Sequence, residues 1–293
     1  MQVAILGCGY VGLRLGRQLT DEGHDVVGVR RSDAGLDAIA DAGFEAVRAD
    51  LTDAASLTAV PDADWLVYAA SAGGRGSDAA RAAYVEGLRT VVETFGERAS
   101  PPDRLVYTSS TGVYGDHDGD WVDESTTPDP ATERQRVLRE AERVALSETA
   151  DRGIDGTVVR FGGLYGPNRY RMDRYLDGPV TDGYLNSIHG DDAAGAVAHL
   201  LTADAARDEV VLGVDDEPVS KWAFADWLAE QCGVSPPKKW TVAERAAAEG
   251  GVSRRARANK RCANDRLREL GYDFRYPTVR EGYRPAIRAF REG

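Results

Sequence analysis

Gln2-Val3-Ala4-Ile5-Leu6-Gly7-Cys8-Gly9-Tyr10-Val11-Gly12 follows Met1. A short apolar strand runs directly into Gly-x-Gly-x-x-Gly, and Val11–Asp21 then reads as helix. A glycine triplet alone says little; set between a strand and a helix it describes a dinucleotide cradle. Gly7 makes the tight turn, Gly9 lets the backbone approach a pyrophosphate, and Gly12 lets the helix pack closely on the strand. The helix start at Tyr10 and Val11 offers free N–H groups and the positive dipole end to an anion. The alternative is a glycine turn that holds no ligand.

Outward from this loop, short β-rich runs alternate with helical stretches. Strands are expected at 2–6, 25–29, 44–49, 65–69, 104–108, 156–160 and 210–214, with helices over 79–95 and 133–150. The alternation predicts an α/β fold with a parallel sheet covered on both faces. The second strand ends at Arg30-Arg31, where an NAD enzyme places an acid for the ribose hydroxyl. A guanidinium there suits a 2′-phosphate, so NADP is expected over NAD. Arg30 stacking on adenine is the other reading. Asp50-Leu51 closes the third strand, where Asp50 either accepts from the adenine amino group or caps a helix. Ala69 and Ala70, at the end of the fourth strand, complete the expected cofactor contacts.

Composition bounds the rest. The 293 residues are 42% hydrophobic and 29% charged, which reads as globular and soluble rather than disordered. No apolar run reaches the ~18–20 residues of a membrane helix, and no basic segment precedes the first strand, so a signal peptide is not expected. Cys8, Cys232 and Cys262 show neither a disulfide framework nor metal-ligand spacing. A cytoplasmic location, with no metal, follows as the expectation. The net charge of −12 repels nucleic acid. Residues 251–293 reverse that sign, with 12 Lys/Arg against 5 Asp/Glu. Such a tail either packs on the acidic body or forms an anion site for a phosphate-bearing substrate. Only four of the 36 basic residues are lysine, which suggests a high-salt cytoplasm or a GC-rich genome.

Several further segments carry a resemblance. Leu105-Val106-Tyr107-Thr108-Ser109-Ser110-Thr111-Gly112-Val113-Tyr114-Gly115 resembles the fifth strand and Ser/Thr segment of the extended short-chain dehydrogenase/reductases, the NAD(P)-dependent epimerase/dehydratase group. Tyr84-Val85-Glu86-Gly87 resembles that family's Asn-Val-x-Gly, with Tyr84 replacing Asn. Arg160 to Pro167 resembles its Arg-x-x-x-x-Tyr-Gly-Pro loop, and Ile188-His189-Gly190-Asp191-Asp192 its Ile-His-x-x-Asp segment. The resemblance covers most of the chain. It implies a Rossmann-like doubly wound parallel sheet over residues 1–166. A smaller C-terminal substrate cap would follow over 167–293, with about 186–214 returning to the sheet.

The resemblance also exposes a loss. The family pairs a tyrosine and a lysine four residues apart on the helix after the serine, so that the lysine tunes the tyrosine for proton transfer. Here Arg134 and Leu138 occupy those positions, no tyrosine lies between Tyr114 and Tyr165, and no lysine precedes Lys221. The catalytic candidates left are Ser110, to orient a substrate oxygen, and Tyr114, to donate a proton. Arg134 or Arg136 can supply charge. Asn186, His189, Lys260 and Arg261 are the substrate candidates. Each has a plainer reading: a turn-capping serine, a packed tyrosine, solvated helix arginines, a histidine that holds loops together.

The expected function is an NADP-dependent oxidoreductase or epimerase. It would act on a small sugar, polyol or nucleotide-sugar-like molecule, as a monomer or homodimer. The alternative is a dinucleotide-binding sensor with little turnover, raised by the missing pair.

Overall fold

The computed structural model describes residues 1–72, 76–250, 257 and 259–293. Seven parallel strands form the central sheet: β1 (Gln2–Leu6), β2 (Asp25–Arg30), β3 (Glu45–Arg48), β4 (Trp65–Tyr68), β5 (Arg104–Ser110), β6 (Asp155–Phe161) and β7 (Glu209–Gly213). Their order across the sheet is β7-β6-β5-β4-β1-β2-β3. The chain winds outward from β1 to β3, crosses back to β4, and winds outward the other way. The reversal between β1 and β4 opens a crevice at their C-terminal ends, which is where open α/β sheets bind ligands.

Strand composition explains the burial. Ala4, Leu6, Leu66, Tyr68, Leu105 and Tyr107 face one apolar layer, and Val3, Ile5, Trp65, Val67 and Val106 face the other. Successive side chains alternate faces, and both faces are covered, so these strands read as continuous apolar runs. The helix Gly190–Thr202 packs against the first helix, Tyr10–Asp21. A third core of Tyr165, Tyr175, Val180, Phe224, Leu228, Tyr283 and Ile287 belongs to a cap over the strand ends. Cys262 joins the first core, and Leu267, Tyr272 and Phe274 join the second. That stretch therefore returns to the sheet body alongside β7, although the sequence reading left it to the cap.

Two expected helices are interrupted by wide turns. The run expected over 79–95 consists of Ser77–Arg81, a π-turn at Ala82–Glu86 and Gly87–Gly96. Tyr68 Oη donates to Ala83 O at 2.5 Å, drawing that carbonyl out of the regular ladder. The run expected over 133–150 is Glu133–Arg143 followed by a π-turn at Val144–Glu148. Here Thr149 Oγ1 donates to Ala145 O at 2.8 Å. Phe44 falls outside β3, where its ring covers Gly16 and Gly28.

Beneath the end of β5 lies a fully buried ion pair. Arg160 donates to Glu142 Oε1 at 2.9 Å through Nε and to Oε2 at 2.8 Å through Nη2. Glu142 is 0% and Arg160 2% exposed. Removing one partner strands the other charge without water, so Glu142→Ala is expected to cost ~3–5 kcal/mol. The check is a lowered urea midpoint at unchanged slope.

Candidate active site

The glycine loop closes around its own backbone. Gly7 N–H and Cys8 N–H donate to Val29 O at 3.2 and 3.1 Å, and Gly9 N–H donates to Gly7 O at 2.8 Å. Gly7 has φ +84°, and a Cβ there would lie 2.3 Å from Ala70 Cα. Only glycine fits this left-handed turn against the end of β4. Ala69 N–H donates to Leu6 O at 2.8 Å, fixing Ala69 and Ala70 beside the loop. Gly12 packs on Ile5, and Val11 and Cys8 are buried. Burial pushes the Cys8 thiol up to about 12, which leaves it a packing residue.

Gly9 begins the helix Tyr10–Asp21 with no side-chain cap and no acid in the first turn. Arg30 Nη1 lies 3.1 Å from the position of a Cβ on Gly9 and approaches Cys8 O at 3.4 Å. No carboxylate pairs with Arg30 among the described residues. An uncompensated guanidinium beside an open helix pole fits an anionic cofactor. Arg31 is spent differently, on Asp50 Oδ2 at 3.1 Å. Asp50 also accepts from Thr52 N–H at 3.0 Å and Thr52 Oγ1 at 2.8 Å. The Thr52 amide, against some desolvation, holds the Asp50 carboxyl below its usual range. The following helix is capped by Asp53, so the capping alternative for Asp50 is corrected. Leu51 is half-buried against the first core. Tyr10 leaves the cradle: its hydroxyl donates to Tyr165 O at 3.0 Å, and its ring is stacked by Arg14 and Arg169.

A cavity of about 900 Å³ lies between the end of β5 and the cap. Ser110, Gly112 and Gln135 form its floor, and Tyr165, Tyr175, Phe224 and Tyr283 part of its wall. Among the described residues, six cationic ones line it, namely Arg169, Arg171, Arg174, Lys221, Arg257 and Lys260, against a single carboxylate, Asp116. Ser110 Oγ accepts from Gly112 N–H at 3.1 Å. Gln135 Nε2 clamps the same turn by donating to Gly112 O at 2.7 Å, while Gln135 Oε1 accepts from Thr132 N–H at 2.8 Å.

Tyr114 does not reach this cavity. It is 0% exposed, donates to Asp123 O at 2.6 Å and accepts from Arg160 Nη1 at 2.7 Å. Burial, offset in part by Arg160, pushes its hydroxyl up to about 12. Its proton is committed inside the core, which corrects the expectation of a donor at the nicotinamide. Leu138 packs in the first core, and Arg136 pairs with Glu133 on an exposed face. Arg134 turns instead to Tyr84 Oη at 3.0 Å.

Of the substrate candidates, Lys260 and Asn186 line the cavity and Arg261 and His189 do not. Lys260 Nζ donates to Gly115 O at 3.0 Å. Asn186 works as a brace, donating to Lys260 O at 2.9 Å and accepting from Cys262 N–H at 2.6 Å. Arg261 donates to Gly119 O at 2.7 Å and lies over the rings of Trp121 and Tyr184. His189 is 1% exposed, caps the helix Gly190–Thr202 by accepting from Asp191 N–H, and packs on Tyr276 with ring centroids 4.0 Å apart. Its plainer reading, a histidine holding loops together, is the one its contacts describe. Sequence reasoning missed Arg169, Arg171, Arg174, Lys221 and Gln135. The density of arginine just after Tyr165-Gly166-Pro167 was the available signal.

The model of the NAD dependent epimerase/dehydratase family matches residues 3–208. The chain belongs to this family. Among curated proteins it is similar to Protein YeeZ of Escherichia coli K12, 29% identical over 283 residues, covering 94% of this chain and 96% of that one. It is also 28% identical over 263 residues to a 3 beta-hydroxysteroid dehydrogenase/Delta 5-->4-isomerase of Mycobacterium tuberculosis, covering 79% and 69%. Among solved structures, a Methylobacillus flagellatus protein assigned as an NAD-dependent epimerase/dehydratase superposes with TM-score 0.78 at 30% identity, covering 100% and 99%. The matched span includes the glycine loop Gly7–Gly12. Among the described residues no helix is long and apolar enough to cross a membrane.

His189 gives this fold an acid sensitivity. Burial, opposed by Asp191, lowers its pKa from 6.5 to about 4. The unfolded chain then binds the proton more readily, so stability is full above about pH 6.5 and falls as pH drops toward 4. His189→Asn removes that slope; unfolding free energies of wild type and variant from urea titrations across this window are expected to converge by ~1–3 kcal/mol at its acid end.

Proposed function

We propose that the protein is an NADP-preferring oxidoreductase or epimerase acting on a small phosphate-bearing sugar, polyol or nucleotide-sugar-like molecule. The observation that carries this reading is the cavity: among the described residues, six cations against one carboxylate line it together with Ser110. In a chain of net charge −12, such a concentration of positive charge fits an anionic substrate. The nicotinamide cofactor, when bound, supplies hydride exchange. The protein's part is binding and orientation. Arg171, Arg174 and Lys221 suit the anionic end, Ser110 Oγ suits the reacting oxygen, and the tyrosine wall limits water. Arg30 suits the 2′-phosphate of NADP. The three cysteines are free and buried, which agrees with a cytoplasmic setting.

The dinucleotide-sensor reading rests on Leu138, a core residue in the position of the family's lysine. Titration with NADPH followed by a turnover screen over phosphorylated and nucleotide-linked carbonyls and alcohols separates the two. Binding without turnover favours the sensor.

Arg30→Asp is expected to weaken NADPH binding ~10–100-fold and to weaken NADH far less. Cofactor fluorescence titrations measure both, and equal NADPH and NADH affinities in the wild type would remove the NADP assignment. Ser110→Ala is expected to lower kcat while leaving NADPH affinity unchanged. Arg171→Ala is expected to raise KM about 10-fold for a phosphorylated substrate and little for its uncharged analogue.

A further inference from the structure

Lysine is scarce in this chain, and half of it sits in one cavity. Of the 36 basic residues only four are lysine. Lys238 and Lys239 are exposed. Lys221 and Lys260 are 7% and 4% exposed, and both line the cavity that holds Ser110. Positive charge alone does not account for that choice. Arg169, Arg171 and Arg174 supply charge in the same lining, and arginine forks onto a phosphate better than lysine does. What lysine adds is a proton that can leave. An ammonium is an acid near pH ~10.4, whereas a guanidinium keeps its proton beyond ~12.5.

Of the two lysines, Lys260 stands at the floor. Its Nζ donates to Gly115 O at 3.0 Å. Ser110 and Gly115 cap the two ends of the short turn Thr111–Tyr114, and both line the cavity. Lys221 belongs to the cap. Its Nζ donates to Asp182 O at 2.8 Å, and it also borders a smaller second cavity lined by Asp173 and Asp177.

The stem of Lys260 is fixed on both sides. Asn259 O accepts from His117 N–H and Gly119 N–H, each at 3.0 Å. Asn186 braces the backbone of Lys260 and Cys262, and Arg261–Cys262 pairs with Trp121–Val122. An ammonium on such a stem is held in place before the reaction starts. The charged and titratable groups around it are the cavity cations, the Cys262 thiol and Asp116. Like charges favour loss of a proton from an ammonium. Burial pushes the Cys262 thiol up to about 11, so it stays neutral. Asp116 Oδ1 accepts from Asn259 N–H at 3.2 Å and Asp118 N–H at 3.3 Å. Two of the cavity phenols are poor sources of a proton. Tyr165 donates its own to Thr278 O at 3.3 Å, and burial pushes Tyr165 and Tyr283 above the ordinary tyrosine range.

We propose that Lys260 exchanges the proton of the reaction with the substrate oxygen that Ser110 orients. The inference rests on the oxidoreductase reading above. Reducing C=O to CH–OH forms one C–H and one O–H bond. The C–H bond takes the hydride of the reduced nicotinamide. The O–H bond takes a proton from Lys260 Nζ, which passes from ammonium to amine. Solvent returns a proton to the amine, and oxidation runs the same bonds in reverse. The general acid that Leu138 and Arg134 cannot supply thus enters from the C-terminal tail.

The experiment uses the full chain with Lys260→Arg, Lys260→Ala and Tyr184→Phe, the last removing a further cavity phenol. Circular dichroism establishes that each variant is folded, and fluorescence titration is expected to show NADPH affinity unchanged. Lys260→Arg keeps the charge and is expected to lower kcat ~10²–10⁴-fold with KM for a phosphorylated substrate within a few-fold. Lys260→Ala is expected to lose as much, and added methylammonium to restore part of it where guanidinium does not. In the wild type, kcat for reduction is expected to fall as pH rises through the ammonium's titration and kcat for oxidation to rise, and Lys260→Arg to abolish that limb. A Lys260→Arg protein with the kcat and pH profile of an active wild type overturns this inference and leaves the oxidoreductase reading in place. Equal rescue of Lys260→Ala by guanidinium overturns it too, because charge alone is then sufficient. So does loss of the pH limb in Tyr184→Phe with the limb intact in Lys260→Arg. A wild type that turns over no carbonyl or alcohol overturns both readings.

Discussion

Arg160 and Glu142 meet with both charges out of water, and each surrounding group answers to that fact. Desolvating two ions costs more than their attraction returns unless the remaining donors and acceptors are filled. Here they are. Glu142 also accepts from Ser109 Oγ at 2.7 Å and Arg139 Nη1 at 3.0 Å, and Arg160 uses its remaining Nη on Tyr114. The network joins β5, β6, the helix Glu133–Arg143 and the turn Thr111–Tyr114 into one block. Ser110 sits between Ser109, held by Glu142, and the turn that Gln135 clamps. The floor of the cavity is therefore set by an ion pair that never touches it. The same network consumes the Tyr114 hydroxyl. A residue that looks chemical in the sequence is thereby made structural.

Charge is sorted in this molecule more finely than its total suggests. Much of the basic tail is neutralised on the acidic body: Arg266 meets Glu209, Arg268 meets Asp216 and Arg280 meets Glu217. Those pairs are half-exposed and add little stability each. Lys260 and Arg257, from the same tail, line the cavity with cap arginines that come from a separate stretch of chain. The packing reading of the tail describes the paired arginines. A negative surface around a positive cavity repels anions at long range and holds them at short range, and salt weakens the first effect far more than the second.

The sheet, its order and the glycine cradle were legible because local rules fix them. An apolar strand, a left-handed Gly7 against Ala70 and an amphipathic helix are each written in adjacent residues. Side-chain direction at the cavity was not legible. Ser110 and Tyr114 belong to one short segment, and whether each faces cavity or core depends on the turn Thr111–Tyr114. The π-turn at Ala82–Glu86 is met by a tyrosine hydroxyl from another element, whereas that at Val144–Glu148 is met by Thr149 from its own helix. Neither leaves a mark in helical periodicity. Tyr84 was visible as a departure from the family's asparagine, but its partner lies 50 residues away and is brought to it by helix packing.

Cofactor binding and proton chemistry draw on different parts of this chain. The cradle is built from backbone: glycines, a helix pole and strand ends whose geometry follows from packing. Proton transfer needs only one or two side chains at a helix surface. Leu138, 7% exposed and packed with Val137 and Ala141, suits the core better than a lysine, whose charge would need a partner there. The helix can therefore exchange lysine for leucine at little structural cost. An arginine one turn earlier, Arg134, stays half-buried and donates to Tyr84 Oη. A fold whose binding site is held by backbone tolerates such an exchange.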